Sequence, residues 1–265
     1  MSENSTSGPL IVLLRLATVA ALVLAIPLAL FTTNVRIAVS QQRVYDYSVR
    51  EYSAADAAGI PELELLRANA EIRQYLTASH PGPLSLSVSD NEGDLVPLFG
   101  ARETAHMADV RSLVQSMFTF QALAIIAVPS LLIATLVLWS PRALAAAALC
   151  GSLMTIGVLT LAGAAVMTGF DSTWSQFHVV AFSNDLWQLN PATDHLIQMF
   201  PEVFWQDMVL LIGEITLAQA ILIAGCAAAY LVLSQPRPVI LQEPPAVEVA
   251  GPAGHARRGP PQSVR

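Results

Sequence analysis

Four long, mainly apolar runs, residues 10–31, 118–139, 143–167 and 208–233, constrain this 265-residue chain more than any other feature. Each reaches the roughly 20 residues that an α-helix needs to cross a hydrocarbon core of about 30 Å. In such a core every backbone N–H and C=O must be paired inside the segment, so helix is the only open-chain solution. Only 12% of the residues are charged, about half the share usual in soluble domains. That excludes a water-soluble enzyme and excludes disorder as the dominant state. The net charge is −7, and the cations are all arginine, with no lysine and no dense cluster. Nucleic acid is therefore not an expected partner, because phosphate binding needs concentrated positive charge.

Four crossings put both termini on one side. The first run carries Arg15 inside it, has no Lys or Arg before it and lacks an A-x-A cleavage pattern, so it is expected to stay as an uncleaved anchor. The connection 32–117, at 86 residues, is too long for its arginines to set orientation. The short turn 140–142 bears Arg142 and the C-terminal tail bears Arg237, Arg257, Arg258 and Arg265, whereas 168–207 holds five carboxylates and no Lys or Arg. Both termini are thus expected in the cytoplasm and both long loops outside. Trp174, Trp187 and Trp205 would then gather near the outer interface and Trp139 at the inner one. The expected fold is an α-helical membrane protein, four transmembrane helices with a small mixed α/β extracytoplasmic cap. Residues 1–9 form a cytoplasmic N-terminus, and the Pro-rich tail 234–265 has no apolar period and is expected to be disordered.

Inside the first loop, Pro61 opens a helical pattern that runs to about Leu76. Residues 84–88 and 95–99 flank a turn sequence at Asp90-Asn-Glu-Gly and predict a β-hairpin. From Ala101 a helix enters the second span without a breaker. In the second loop Asn190-Pro191 reads as a cap and first turn, and Phe200-Pro201 as a boundary between helices. In the third span Ala143, Ala147 and Gly151 recur every four residues; this reads either as a surface for close helix approach or as plain alanine richness. Cys150 and Cys226 lie in spans and offer no exported disulfide.

The candidate chemistry rests on histidine. His106 has Asp109 on the same helical face, with Arg102 one turn earlier. A carboxylate so placed could orient an imidazole, and the same pattern also describes a solvated charged face. His178 stands among Phe177, Phe182 and Trp187, with Asn184 and Asp185 within reach; it reads as an activated group or as a structurally satisfied ring. His106, Asp109, His178, Asp185 and His195 could in principle ligate zinc, yet no close-spaced ligand motif is present. A Gly-rich phosphate loop and a G-x-S-x-G elbow are also missing from the sequence. An enzyme built this way would take its nucleophile from the substrate. Glu214 in the fourth span is an ionisable group where such groups are costly, and so a functional candidate.

The order Glu103-Thr-Ala-His106-Met-Ala-Asp109-Val110, Phe177-His178 through Phe182 and Trp187, Leu189-Asn-Pro191, Asp194 and Phe200-Pro201-Glu202, set between four spans, resembles a family of bacterial integral membrane proteins that includes the lipoprotein intramolecular transacylases. The resemblance covers about residues 10–233 and implies a reaction. An acyl chain on the glyceryl group of a diacylated lipoprotein moves to the α-amino group of its N-terminal cysteine, giving the lyso form. It implies His106 and His178 as the acid/base pair, Asp109 and Asp185 as orienting groups, and neither cofactor nor metal. The implied partners are the diacylated lipoprotein and membrane lipid. A non-catalytic sensor or assembly protein, and a metal-dependent lipid hydrolase, are the competing readings.

Overall fold

The computed structural model describes residues 7–80 and 82–235; the expected disordered tail lies, from residue 236 onward, outside the described residues. The chain is mostly helical: α1 (Ser7–Ser40), α2 (Gln42–Glu51), α3 (Ala54–Ala58), α4 (Glu62–Thr77), a hairpin of β1 (Ser87–Ser89) and β2 (Leu95–Pro97), then α5 (Ala101–Leu138), α6 (Pro141–Thr168), α7 (Phe170–Ala181), α8 (His195–Met199) and α9 (Glu202–Leu233). Helices α1, α5, α6 and α9 are long and apolar enough to cross a membrane. Each expected span falls inside one of them, the second overrunning its helix by Trp139 alone.

These helices are longer than their apolar runs. At 1.5 Å per residue α5 extends about 57 Å, nearly twice a hydrocarbon core, so its first turns stand clear of the apolar stretch. The reversal from α5 to α6 is compact because Ser140 caps α6, its hydroxyl accepting from the Ala143 N–H at 3.1 Å, and Pro141 takes the first helical position.

Within the bundle α1 is the central helix, packing on α5, α6 and α9. It packs tightly on α6, where Leu22 and Ile26 meet Ala147. A Cβ at Gly151 would stand 2.8 Å from the Ile26 side chain and 3.0 Å from the Val23 carbonyl. Of the two readings of the Ala143, Ala147, Gly151 stripe, the structure takes close approach: the glycine lets backbone meet backbone. Where α1 faces α9, the buried Asn34 amide donates to Thr216 Oγ1 at 2.9 Å and Gln219 Oε1 at 2.8 Å. The opposite faces carry bare apolar side chains such as Ile126, Leu161 and Leu222. Large apolar faces of this kind suit lipid and not water.

The remaining elements gather at the end of the bundle away from the α5–α6 turn. Their core is Tyr45, Val49, Leu65, Ile72, Leu98, Met199, Phe200 and Phe204, drawn from α2, α4, the hairpin, α8 and the first turn of α9. Leu65, Ala68, Ile72 and Leu76 form the buried face of α4 at helical spacing. The buried Asn69 amide donates to the Tyr45 carbonyl at 2.8 Å, tying α4 to α2.

The expected hairpin forms with Val88 opposite Val96, its paired part shorter than the alternating pattern suggests. Asp90 Oδ1 closes its turn by accepting from the N–H groups of Glu92 and Asp94. Helices α2 and α3 have no counterpart among the expected elements. Asn190-Pro191 does not start a helix: Asn190 Oδ1 accepts from the Ala192 N–H in a side-chain turn, Asp194 accepts from the Asn190 N–H, and α8 begins only at His195. Beyond the third span, Gly169, at φ 157° and ψ 105°, breaks α6 and lets a separate helix, α7, start in a new direction.

Candidate active site

His106 sits in the second turn of α5 and His178 in the last turn of α7, 72 residues apart in sequence. Their ring centroids are 6.1 Å apart, and both side chains are buried, at 6% and 7% exposure. The break at Gly169 puts His178 on a separate helix, α7, and not on a continuation of α6.

The frame around the pair is aromatic. Trp187 stacks on His178 at 4.9 Å and Trp174 meets its edge at 4.7 Å. Phe182 touches both histidines, at 5.1 Å from His106 and 5.6 Å from His178. Trp174 stacks in turn on Trp205 of α9, so two of the three tryptophans expected to cluster do so as neighbours and the third covers the histidine.

His178 Nδ1 lies 2.8 Å from the Trp174 carbonyl. A carbonyl only accepts, so Nδ1 carries the hydrogen and Nε2 is left with a free lone pair. Its pKa is lowered by burial, which the bond to the Trp174 carbonyl partly offsets. The pKa of His106 falls further, to about 4, through burial first and the neighbouring His178 second, against a raising effect of Asp109. Both rings are neutral at pH 7. His106 Nδ1 is buried with no hydrogen-bond partner among the described residues.

The four supporting polar residues come together beside the pair, in a role different from orienting the rings. Arg102 Nη2 donates to the Asp185 carbonyl at 2.5 Å, and Arg102 Nε to the Leu186 carbonyl at 3.4 Å. Asn184 Nδ2 donates to Asp109 Oδ2 at 2.9 Å, while Asn184 Oδ1 accepts from the Leu186 N–H. These bonds fasten segment 182–188 to α5. Among the described residues no carboxylate hydrogen-bonds to either imidazole; the partner of His178 is the Trp174 backbone. A cleft of about 240 Å³ opens here, lined by Asp109, Ser112, Ser116, Phe182, Ser183 and Asn184.

The five residues considered for zinc do not assemble as ligands. Among the described residues the single group of three ligand-type side chains within 4.8 Å is Asp90, Glu92 and Asp94, in the hairpin turn. His195 instead bonds Gln198 Oε1 through Nδ1 at 2.9 Å.

Sequence reasoning underrated Glu103. It is 4% exposed, one turn before His106, and its two oxygens accept from the Gly100 and Leu196 N–H groups, each at 2.7 Å. The first bond caps α5 and was legible in the three-residue offset from Gly100. The second joins α5 to α8 across 93 residues and leaves no local signal.

Comparison with known proteins agrees with this architecture. The profile of the lipoprotein intramolecular transacylase family, Lit, matches residues 20–205. No curated protein matches the chain. The membrane integral lipoprotein intramolecular transacylase Lit from Bacillus cereus, solved in meso, superposes with a TM-score of 0.70 at 21% identity, covering 86% of this chain and 98% of that one. Variants of the Bacillus cereus protein with one histidine changed to alanine or to arginine give TM-scores of 0.66 and 0.64 at 20% and 21% identity. Each covers 83% of this chain, and 94% and 92% of theirs. With the family profile spanning more than half of its length and the four apolar helices in a fold shared with membrane-integral relatives, this multi-pass membrane protein belongs to the lipoprotein intramolecular transacylase family.

Proposed function

We propose that the chain transfers an acyl chain within a diacylated lipoprotein, from the glyceryl ester to the α-amino group of the N-terminal cysteine, with His106 and His178 as its acid and base. The observation that carries this reading is the buried pair of neutral imidazoles, one with its lone pair set free by the Trp174 carbonyl. The α-amine, with a reference pKa near 8, must lose a proton as its nitrogen attacks the ester carbonyl. His178 Nε2 takes that proton. The carbon–oxygen bond of the ester breaks as the His178 imidazolium passes its proton to the free nitrogen of His106. In the same step the other nitrogen of His106 gives its proton to the departing glyceryl oxygen, so both rings end neutral and water is not consumed. The aromatic frame keeps water from competing with the amine. Arg102, Asp109, Asn184 and Asp185 hold segment 182–188, and with it Phe182 and Trp187, against the two rings.

The end of the bundle bearing the pair faces the outside of the cell, with both termini in the cytoplasm. Arg142 in the short turn and the all-acidic second loop support that orientation. The ester of a lipid-anchored substrate would then meet the histidines near the bilayer surface while its acyl chains stay among the helices.

The reaction is an isomerisation, so the intact lipopeptide keeps its mass and the amine gains an acyl group. Expression of the full chain in a bacterium lacking lyso-form lipoproteins should yield N-acylated fragments in tandem mass spectra of N-terminal lipopeptides. Loss of one acyl mass would identify a hydrolase, and unchanged diacyl fragments a non-catalytic protein. The pH profile provides a second check. A base whose pKa is lowered stays unprotonated below the ordinary histidine value of about 6.5. Once the loss from protonation of the substrate amine, with its reference pKa near 8, is divided out of kcat/KM, the enzyme's own acid limb should lie below about 6.5. A corrected limb centred at about 6.5 or above contradicts the assignment.

A further inference from the structure

A second groove, larger than the cleft beside the histidines, lies between α2 and α9. Its volume is about 550 Å³, and Arg43, Tyr47, Asp207, Leu210, Leu211 and Glu214 line it. That volume falls within the range of sites that hold small organic ligands. Asp207, Leu210, Leu211 and Glu214 recur at three- and four-residue spacing and share one face of α9. Trp205, two residues before Asp207, points the other way and stacks on Trp174 beside His178. The groove and the histidine pair therefore lie on different sides of α9.

The charges in this groove are placed but not matched. Asp207 Oδ2 accepts from the phenols of Tyr47 and Tyr52, which leaves Oδ1 unused by these two donors. Burial, and then the bond to Asp207, raise the pKa of Tyr52, so the phenol remains a donor to the carboxylate. Neither Arg43 nor Glu214 has an ion-pair partner among the described residues, where Arg67–Glu64 is the one salt bridge. Glu214 stands inside the apolar part of α9, where an unmatched carboxylate is costly and marks a binding function. Apolar Val44, Met208, Leu210 and Leu211 fill the space between these groups.

A ligand that matches all of this carries a phosphate for Arg43, an ammonium for Asp207 and Glu214, and hydrocarbon for the leucines. We infer that the α2–α9 groove is a binding site for a zwitterionic aminophospholipid of the surrounding bilayer, separate from the histidine pair. A purely anionic lipid would satisfy Arg43 and leave two carboxylates facing its phosphate. An inorganic cation would satisfy the carboxylates and leave the guanidinium and the apolar wall unused.

The test is competitive lipid retention. The full chain is purified in nanodiscs of equal phosphatidylethanolamine and phosphatidylglycerol, released into detergent, and weighed by native mass spectrometry. The wild type should retain phosphatidylethanolamine over phosphatidylglycerol by about tenfold, the ratio expected for one partly desolvated charge-assisted contact. Arg43→Gln and Glu214→Gln, both exposed and so neutral to folding, should each bring that ratio towards one. Arg142→Gln, at the other end of the bundle, should leave it unchanged. Equal retention of the two lipids by the wild type overturns the proposal, as does a preference that neither groove variant alters. Displacement of the bound lipid by a diacylated lipopeptide also overturns it, by assigning the groove to substrate.

Discussion

Replacing His178 with asparagine should leave a folded protein that makes no detectable lyso-form lipoprotein. The asparagine amide can still donate to the Trp174 carbonyl in place of Nδ1–H, so the anchoring bond at the end of α7 persists. What disappears is the Nε2 lone pair, and with it the acceptor for the amine proton. General base catalysis contributes about 10²- to 10⁴-fold, and a loss in the upper part of that range is expected in kcat. His106→Ala should fall as far, and the double variant scarcely further, because two groups that serve one proton-transfer cycle are not additive. Tandem mass spectra of N-terminal lipopeptides read the conversion, and thermal unfolding in detergent reads the fold. Conversion within tenfold of wild type in both single variants sinks the acid/base assignment.

The second large effect is expected at Glu103, and it falls on stability before it falls on activity. Its carboxylate is buried and satisfies two backbone N–H groups, at the start of α5 and the start of α8. Its negative charge also suits the N-terminus of a long helix. Glu103→Ala leaves the Leu196 N–H buried and unpaired, at about 1–3 kcal/mol, and removes the cap on the exposed Gly100 N–H, at about 1 kcal/mol, so a loss of about 3 kcal/mol is a central expectation. Because His106 lies one turn further along the same helix, conversion should fall as the α5–α8 join loosens. Glu103→Gln retains an acceptor for one N–H and should lose less than half as much. An alanine variant that unfolds at the wild-type temperature would show that water or backbone rearrangement satisfies those groups instead.

The parts of the fold legible in sequence are those set by short-range rules. The spans followed from apolar runs whose length is fixed by helix rise and bilayer thickness. The hairpin followed from alternation around an Asp-Asn-Glu-Gly turn, and α4 from a helical apolar face behind Pro61. The misread segments had competing local signals. Asn190 was read as a helix cap, but its side chain closes a turn on Ala192, an alternative that the same residue type favours equally. The helix α7 was missed although Thr168-Gly169-Phe170-Asp171 carries the signals of a helix boundary, a glycine at the break and an acidic residue in the next first turn.

The candidate site was partly legible for a similar reason. Spacing put Asp109 on the face of His106, and that is geometrically sound, yet the carboxylate is engaged by Asn184, 75 residues away. The orienting group for His178 is a backbone carbonyl on its own helix, and a carbonyl carries no residue identity for a sequence to display. Glu103 was visible as a cap and invisible as a cross-link.

By itself, then, the sequence determined that this chain has four helices long and apolar enough to cross a membrane, and it singled out two histidines as candidate site residues. Bilayer thickness, helix rise and the cost of unpaired backbone act on contiguous residues, so their marks are contiguous too. Tertiary structure alone decided that His106 and His178 face one another, that the rings are neutral, and that a charged groove stands apart from them on α9. Those outcomes depend on how closely α1 and α6 meet at Gly151 and on which groups lose their water. Such quantities are set by packing between segments far apart in the chain, and no local pattern encodes them.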